Sequence, residues 1–378
     1  MRCESLDQNQ PSMSGAGERI TSSEEIMAAY KARLLEFDTV LNAKVIDIER
    51  VRKLCFSGAP DEGGRRALCW KLLLHYLPLD TIQWNDTLNK KRAQYRHFVE
   101  EMVVEPARLS KNGSGNNHVD DHPLNPNPDS QWGSFFKDNE VLMQIDKDVR
   151  RLCPDIMFFQ RGTEFPCKLI VDDPEVERLH RRVTHSSLSA SSVTRKGLGI
   201  TKNYAKLLNM ILSIKENAEA DCFWSFISLM GEIRDFFIRT LDDSESGIGA
   251  MMARLMSNLR QHDHQLWNRL RVQELQPQFF SFRWLTLLLS QEFDLPDVIR
   301  VWDSLFADAN RFTYLIQVCT AMMVLQRDVM MQNDFASNMK ILQNYPPVDV
   351  QVLLNKATEL VENPSESFCD TTNMEESS

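Results

Sequence analysis

LPDVIRVWDSLF, residues 295 to 306, sets Val298, Val301, Trp302 and Leu305 at the i, i+3, i+4, i+7 positions that line one face of an α-helix. Pro296 stands where a first helical turn tolerates it, because its missing N–H would have no intrahelical partner there. The same spacing recurs in both directions along the chain. Ala67 to Tyr76 carries Leu68, Leu72 and Tyr76 on one side with Trp70 and Leu73 beside them. Ser23, followed by Glu24 and Glu25 and then by Ile26, Met27, Tyr30 and Leu34, reads as a helix start with an acidic first turn. Alternating strand patterns are nearly absent, Lys168 to Val171 being the one short candidate. The pattern predicts an all-α fold.

With 378 residues, of which 43% are hydrophobic, the chain has the material for a sizeable core. Its net charge of −10 argues against nucleic acid as a main partner, since phosphate binding leans on clustered Lys and Arg. The eight cysteines contain no Cys-x-x-Cys pair and mostly lie inside apolar runs, the usage of reduced thiols in a cytoplasmic protein and not of a disulfide framework or a zinc site. No stretch has the length of uninterrupted apolar sequence that a membrane span needs, and no lipidation motif or polybasic amphipathic helix stands out. Residues 1–22 are rich in Ser, Gly, Gln and Glu, and we expect a disordered tail there and again over 356–378, most plainly from Asn363 onward. Asn112 to Ser130 reads as a loop, and the basic, Ser/Thr-rich stretch Arg181 to Gly199 as an exposed linker.

The local signatures of a self-contained enzyme are missing: there is no Gly-x-x-x-x-Gly-Lys phosphate loop, no Gly-x-Gly-x-x-Gly, no His-Glu-x-x-His and no Gly-x-Ser-x-Gly. No metal site and no cofactor of its own is expected. The eight histidines are scattered, and one on a helix, such as His75, fits a structural role better than a ligand's. Trp70, Trp224, Trp284 and Trp302 sit among aliphatic residues at helical spacing and read as core, and so does the Met322, Met323, Met330, Met331 group. A chain without its own nucleotide site is expected to act on a partner.

The one constellation that carries chemistry is QIDKDVRRL at 144–152. Its Ile-x-x-Asp-x-x-Arg pattern, Ile145, Asp148 and Arg151, puts a carboxylate and a guanidinium one helical turn apart, where Asp148 can hold Arg151 in a fixed pose. Val141, Ile145, Val149 and Leu152 point the other way, and Pro154 stops the helix so that Arg151 lies in the last turn. On spacing alone, a solvated ion pair at a helix end satisfies the same pattern.

Several ordered segments resemble the TBC-domain family of Rab GTPase-activating proteins. Phe56-Ser57-Gly58-Ala59-Pro60 followed by Arg66-Ala67-Leu68-Cys69-Trp70 is similar to its opening Gly-x-Pro, Arg-x-x-x-Trp signature. The run at 144–154 is similar to its Ile-x-x-Asp-x-x-Arg motif, and Ala220 to Phe226, with Trp224, to its acidic Phe-Trp helix start. Arg283-Trp284 through Arg300-Val301-Trp302-Asp303 is similar to its C-terminal signature. The resemblance runs from about 50 to about 345, and the runs at 121–130 and 136–142 come closer still to one member of that family.

The resemblance implies a two-lobed helical domain over 23–355, with an N-terminal lobe at about 23–215 and a C-terminal lobe at about 216–355. Its partner would be a Rab-class small GTPase, which brings GTP and Mg. Arg151 is then an arginine finger, with Asp148 orienting it, and Ile145, Arg66, Trp70, Trp224, Arg300, Trp302 and Asp303 are motif residues of the scaffold. The protein is accordingly not an enzyme in itself but an activator working in trans in vesicle-mediated transport, cytoplasmic and peripheral on endomembranes, with membrane contact only indirect through the prenylated partner.

The sequence departs from the family at one point. The Tyr-x-Gln-Gly-Met motif, whose glutamine positions the attacking water, is not found. The nearest echo, Tyr204 to Met210, has Lys206 where glutamine belongs and no glycine, and an ammonium cannot accept a hydrogen bond. Two further readings therefore stand beside the activator: a Rab-binding module with weak or no activating power, and a helical scaffold whose groove meets peptides.

Overall fold

The computed structural model describes the backbone of residues 15–102, 217–241 and 247–363, with the single positions 133, 136, 137, 140, 144 and 244. Among these residues the architecture is all helical. Thirteen α-helices follow in order: α1 Gly15–Leu41, α2 Ile48–Phe56, α3 Arg65–Leu73, α4 Trp84–Met102, α5 Ala218–Ile233, α6 Ile248–His262, α7 His264–Val272, α8 Ser281–Thr286, α9 Leu295–Ala307, α10 Arg311–Leu325, α11 Arg327–Gln332, α12 Phe335–Gln343 and α13 Val350–Glu362. The nearest approach to a strand pairing is an isolated bridge between Val45 and Asp80, where Ile46 N donates to Leu79 O over 2.8 Å. The strand candidate Lys168 to Val171, the loop at 112–130, the linker at 181–199 and the lobe boundary near 215 lie outside the described residues.

The helix starts follow from acidic caps. Asp47, Asp263, Asp334 and Asp349 each accept from a backbone N–H in the first turn of the helix that follows, satisfying donors that have no intrahelical partner. Pro296 sits in the first turn of α9 as its sequence predicts, and the buried stripe Val298, Val301, Trp302 and Leu305 is the one read from the spacing.

Two expected helix ends move. Helix α1 starts at Gly15, not at Ser23, and no proline interrupts the added stretch. At the other end α13 runs through Glu362, because Ala357 and Leu360 continue the buried stripe of Val350, Leu353 and Leu354. Helix α3 ends at Leu73 and does not reach Tyr76. His75 adopts a left-handed φ of 57°, and Tyr76 N and Leu77 N both return to Lys71 O, which makes His75 an exposed helix-end residue.

Helices from both ends of the sequence share one core. α9 packs on α2 and α3, while α10 packs against α13, α6 and α9. Trp70, Trp302 and Phe306 form an aromatic cluster, with Trp70 and Phe306 edge to face at 4.9 Å between ring centres. Trp284 is equally buried, between Phe280 and Tyr345. Trp224 is not fully core: it is half-buried, donates to Lys91 O over 2.7 Å, and carries the Lys91 ammonium 3.9 Å above its ring. Met322, Met323 and Met330 are buried and Met331 packs against them from the edge, as the packing reading expects. Cys55, Cys69 and Cys319 are buried free thiols, and Cys222 is buried as well.

Candidate functional site

Arg66, Trp70, Arg300 and Asp303 converge on the loop Phe56–Pro60. The centre is Asp303, a carboxylate with no exposed surface on the inner side of α9. One of its oxygens accepts from Trp70 Nε1 over 2.7 Å and the other from the Ala59 backbone N–H over 2.8 Å, while Arg66 Nε lies 3.2 Å from both. Arg66 also donates to Ala59 O and pairs with Asp61. Burial pushes Asp303 up to about 6, against the pull of Arg66, the Ala59 N–H and Trp70.

The loop is held from its other side as well. Ser304 Oγ donates to Phe56 O and accepts from Arg300 Nη1, both over 2.7 Å, and Arg300 reaches on to Gln351 Oε1. Gly58 adopts φ 96°, and a Cβ there would stand 3.2 Å from Arg300 Cδ, so the position needs glycine for conformation and for space. Arg33 donates to Leu54 O and to Gly58 O, closing the loop against α1. Trp302 points away from this centre, its indole N–H meeting Leu288 O over 2.9 Å. Leu288 and the neighbouring Leu289 both hold positive φ, and that bond ties the strained turn to α9.

A second buried carboxylate, Asp221 in the first turn of α5, gathers α3 and α4. It accepts from Arg92 Nε and Nη2 over 2.9 and 2.8 Å, from Lys71 Nζ over 2.6 Å and from Tyr76 OH over 2.8 Å. Burial alone would raise Asp221, but Arg92, Lys71 and Tyr76 outweigh it and hold the carboxyl below its ordinary value. Two residues earlier Glu219 accepts from Tyr95 OH over 2.7 Å, and there burial wins and raises the carboxyl. A third junction joins α10 to α3 and α5: Arg311 donates to Leu73 O over 3.0 Å and pairs with Glu232 at 3.2 Å.

Asp303 and Asp221 each accept from three scaffold residues, so their part is positional. Among the described residues no group of three or more His, Cys, Asp or Glu side chains could hold a metal ion, and no helix is long and apolar enough to cross a membrane. Ile145, Asp148 and Arg151 lie outside the described residues, as do Tyr204 to Met210. The structure thus brings Arg66, Trp70, Arg300 and Asp303 together and places Trp224 at the α4–α5 contact.

Sequence reasoning missed Lys71, Tyr76, Arg92, Arg311 and Glu232. Asp221 offered a signal, a lone acid entering the apolar run CFWSFISLM, which requires a counter-charge once buried. Arg311 offered none, because an arginine at a helix start reads as solvated.

The Rab-GTPase-TBC domain model matches residues 175–331. TBC1 domain family member 13 of Mus musculus is 46% identical over 393 residues, covering 88% of this chain and 98% of that protein. This chain belongs to the TBC-domain family.

The TBC1 domain family member 13 of Homo sapiens matches to the same extent, and the GTPase-activating protein gyp1 of Schizosaccharomyces pombe is 24% identical over 87% of this chain and 61% of its own. Among solved structures, the Ypt/Rab-GAP domain of Gyp1p superposes with a TM-score of 0.62 at 22% identity, covering 88% of this chain and 98% of that one, which establishes the TBC fold. The alignment to the mouse TBC protein spans more positions than this chain has residues, although only 88% of the chain takes part. That relative therefore carries internal residues which this TBC chain lacks.

Proposed function

We propose that this protein is a GTPase-activating protein for a Rab-class small GTPase, with Arg151 as the group supplied in trans and Asp148 orienting it. The observation that carries the reading is the 46% identity to a TBC1 family member across nearly its whole length, together with a complete Ile145, Asp148, Arg151 motif in the sequence. The chemistry suits the residue. Arginine is permanently charged, and its planar fork matches phosphate oxygens, so it can meet the charge that develops on the γ-phosphoryl group. An arginine supplied in trans is worth on the order of 10³ to 10⁵ in rate, about 4 to 7 kcal/mol of barrier. The GTPase contributes GTP and Mg, and the activator works where that prenylated partner sits, on vesicle membranes.

The test is single-turnover GTP hydrolysis on a panel of GTP-loaded Rab proteins. Wild type accelerates at least one of them, and Arg151→Ala and Arg151→Lys both abolish the gain, because lysine lacks the fork. An equal rate for wild type and both variants on every Rab refutes the activator.

A second reading is favoured by one observation, the missing Tyr-x-Gln-Gly-Met motif in a chain shorter internally than its relative. It is a TBC-fold module that binds a Rab without accelerating hydrolysis. Recovery of a GTP-loaded Rab in a pull-down, with no rate gain in the hydrolysis panel, identifies it.

A further inference from the structure

Helices α6 and α7 build a cationic, aromatic surface that no motif in the sequence announces. Trp267 on α7 is half-buried, with the Arg260 guanidinium from α6 5.1 Å from its ring centre and that of Arg271 at 5.2 Å. His264 completes the group, its ring 5.4 Å from the indole. With 3.6 residues per turn, His264, Trp267, Arg271 and Val272 share the outward arc of α7, while Leu266 and Leu270 face the core.

The charge of this region opposes that of the chain. Between Ile248 and Gln273 there are four arginines and one acid, Asp263, in a protein of net charge −10. Asp263 is engaged, accepting from Leu266 N and from Arg327 Nε. Among the described residues no carboxylate lies within ion-pair distance of Arg260 or Arg271, both of which are exposed; Arg271 Nη2 donates to the neutral Asn268 Oδ1 over 3.1 Å, and the next acid along the chain after Asp263 is exposed Glu274. Val272 on the same arc is 66% exposed, and the next exposed aromatic side chains along the chain are Phe279 and Phe282, each 47% exposed.

We propose that this surface binds an anionic phospholipid membrane directly. Two exposed guanidinium groups without a carboxylate partner supply the attraction to acidic headgroups, an indole suits the headgroup level, and the exposed Val272 beside them gives an apolar contact that an acidic peptide would not require. Membrane contact then does not depend on the prenylated GTPase, and the surface stands whether or not the protein accelerates hydrolysis.

The experiment is co-sedimentation of the full chain, without any GTPase, on vesicles of phosphatidylcholine alone and of phosphatidylcholine with one-third phosphatidylserine. The protein pellets with the anionic vesicles and is released by high salt. Arg260→Gln and Arg271→Gln each weaken partitioning about fivefold, and Trp267→Ala weakens it on anionic vesicles while circular dichroism stays unchanged. Equal pelleting on both vesicle types overturns the proposal, as does full retention by the Arg260→Gln/Arg271→Gln protein. Capture by immobilised polyglutamate without vesicle binding also overturns it and assigns the surface to an acidic polypeptide. The salt release is read on wild type alone, so a variant that fails to fold leaves the proposal testable.

Discussion

Trp70 donates its indole N–H to Asp303 over 2.7 Å across 233 positions of sequence, joining α3 to α9 at the centre of the fold. The same carboxylate holds the Ala59 N–H and Arg66, so a single side chain fixes the Phe56–Pro60 loop, α3 and α9 in one register.

Removing that acceptor leaves three buried donors without a partner. Asp303→Ala is expected to destabilise the protein by roughly 3 to 5 kcal/mol, the usual cost of breaking a buried ion pair from one side. Urea denaturation followed by tryptophan fluorescence measures it. A loss below about 1 kcal/mol would mean that Arg66 and Asp61 carry the junction without Asp303.

The two buried carboxylates pull stability in opposite directions with pH. Asp303 is raised to about 6 from 3.8, so the folded state holds its proton longer than the unfolded one; that contribution is full below about 4 and is lost as pH rises through about 6. Asp221 is lowered, so its contribution is present above 3.8 and is lost as pH falls through its folded value. Relative to wild type, Asp221→Asn should flatten the acid limb of the stability–pH curve, and Asp303→Asn should flatten the decline between pH 4 and 6. Melting temperatures from about pH 2 to pH 7 decide it; parallel curves for all three proteins would contradict both assignments.

Gly58→Ala meets two obstacles, a φ of 96° and a Cβ 3.2 Å from Arg300. The expected cost is about 1 to 3 kcal/mol. Adding Arg300→Ala relieves the steric part and leaves the conformational one, so the double variant stays less stable than Arg300→Ala alone. Full recovery in the double variant would show that the strain was steric only.

Replacing residues 204–210 with a Tyr-x-Gln-Gly-Met segment is expected to raise the hydrolysis rate on a responsive Rab, since it restores a neutral amide able to orient water. A folded graft with unchanged or lower activity would show that the absent glutamine does not limit this chain.

Much of the scaffold was legible. The stripe of α9, the burial of Trp70, Trp284 and Trp302 and the burial of the described cysteines follow from periodicity, because an apolar face at helical spacing has one place to go. The motif residues Arg66, Trp70, Arg300 and Asp303 were identified as a set, but not as a set that closes on Ala59 and Gly58. Helix ends were less legible, as His75 shows: a left-handed residue is chosen by the turn it must make and not by an apolar pattern. The Asp221 and Arg311 junctions and the Trp267 surface join side chains from separate helices, and periodicity within one helix carries no signal of such a meeting.

The pairing of α2 and α3 with α9 also sets an order of events during synthesis. At about 5 to 20 residues per second, the ribosome delivers α9 on the order of 10 to 50 s after α3. For that interval Cys69, Trp70, Leu72 and Leu73, all fully covered in the finished protein, have no α9 to cover them. The nascent chain is thus a candidate for chaperone attention well before its last helices exist, and a stall anywhere between residues 74 and 295 would prolong the exposure.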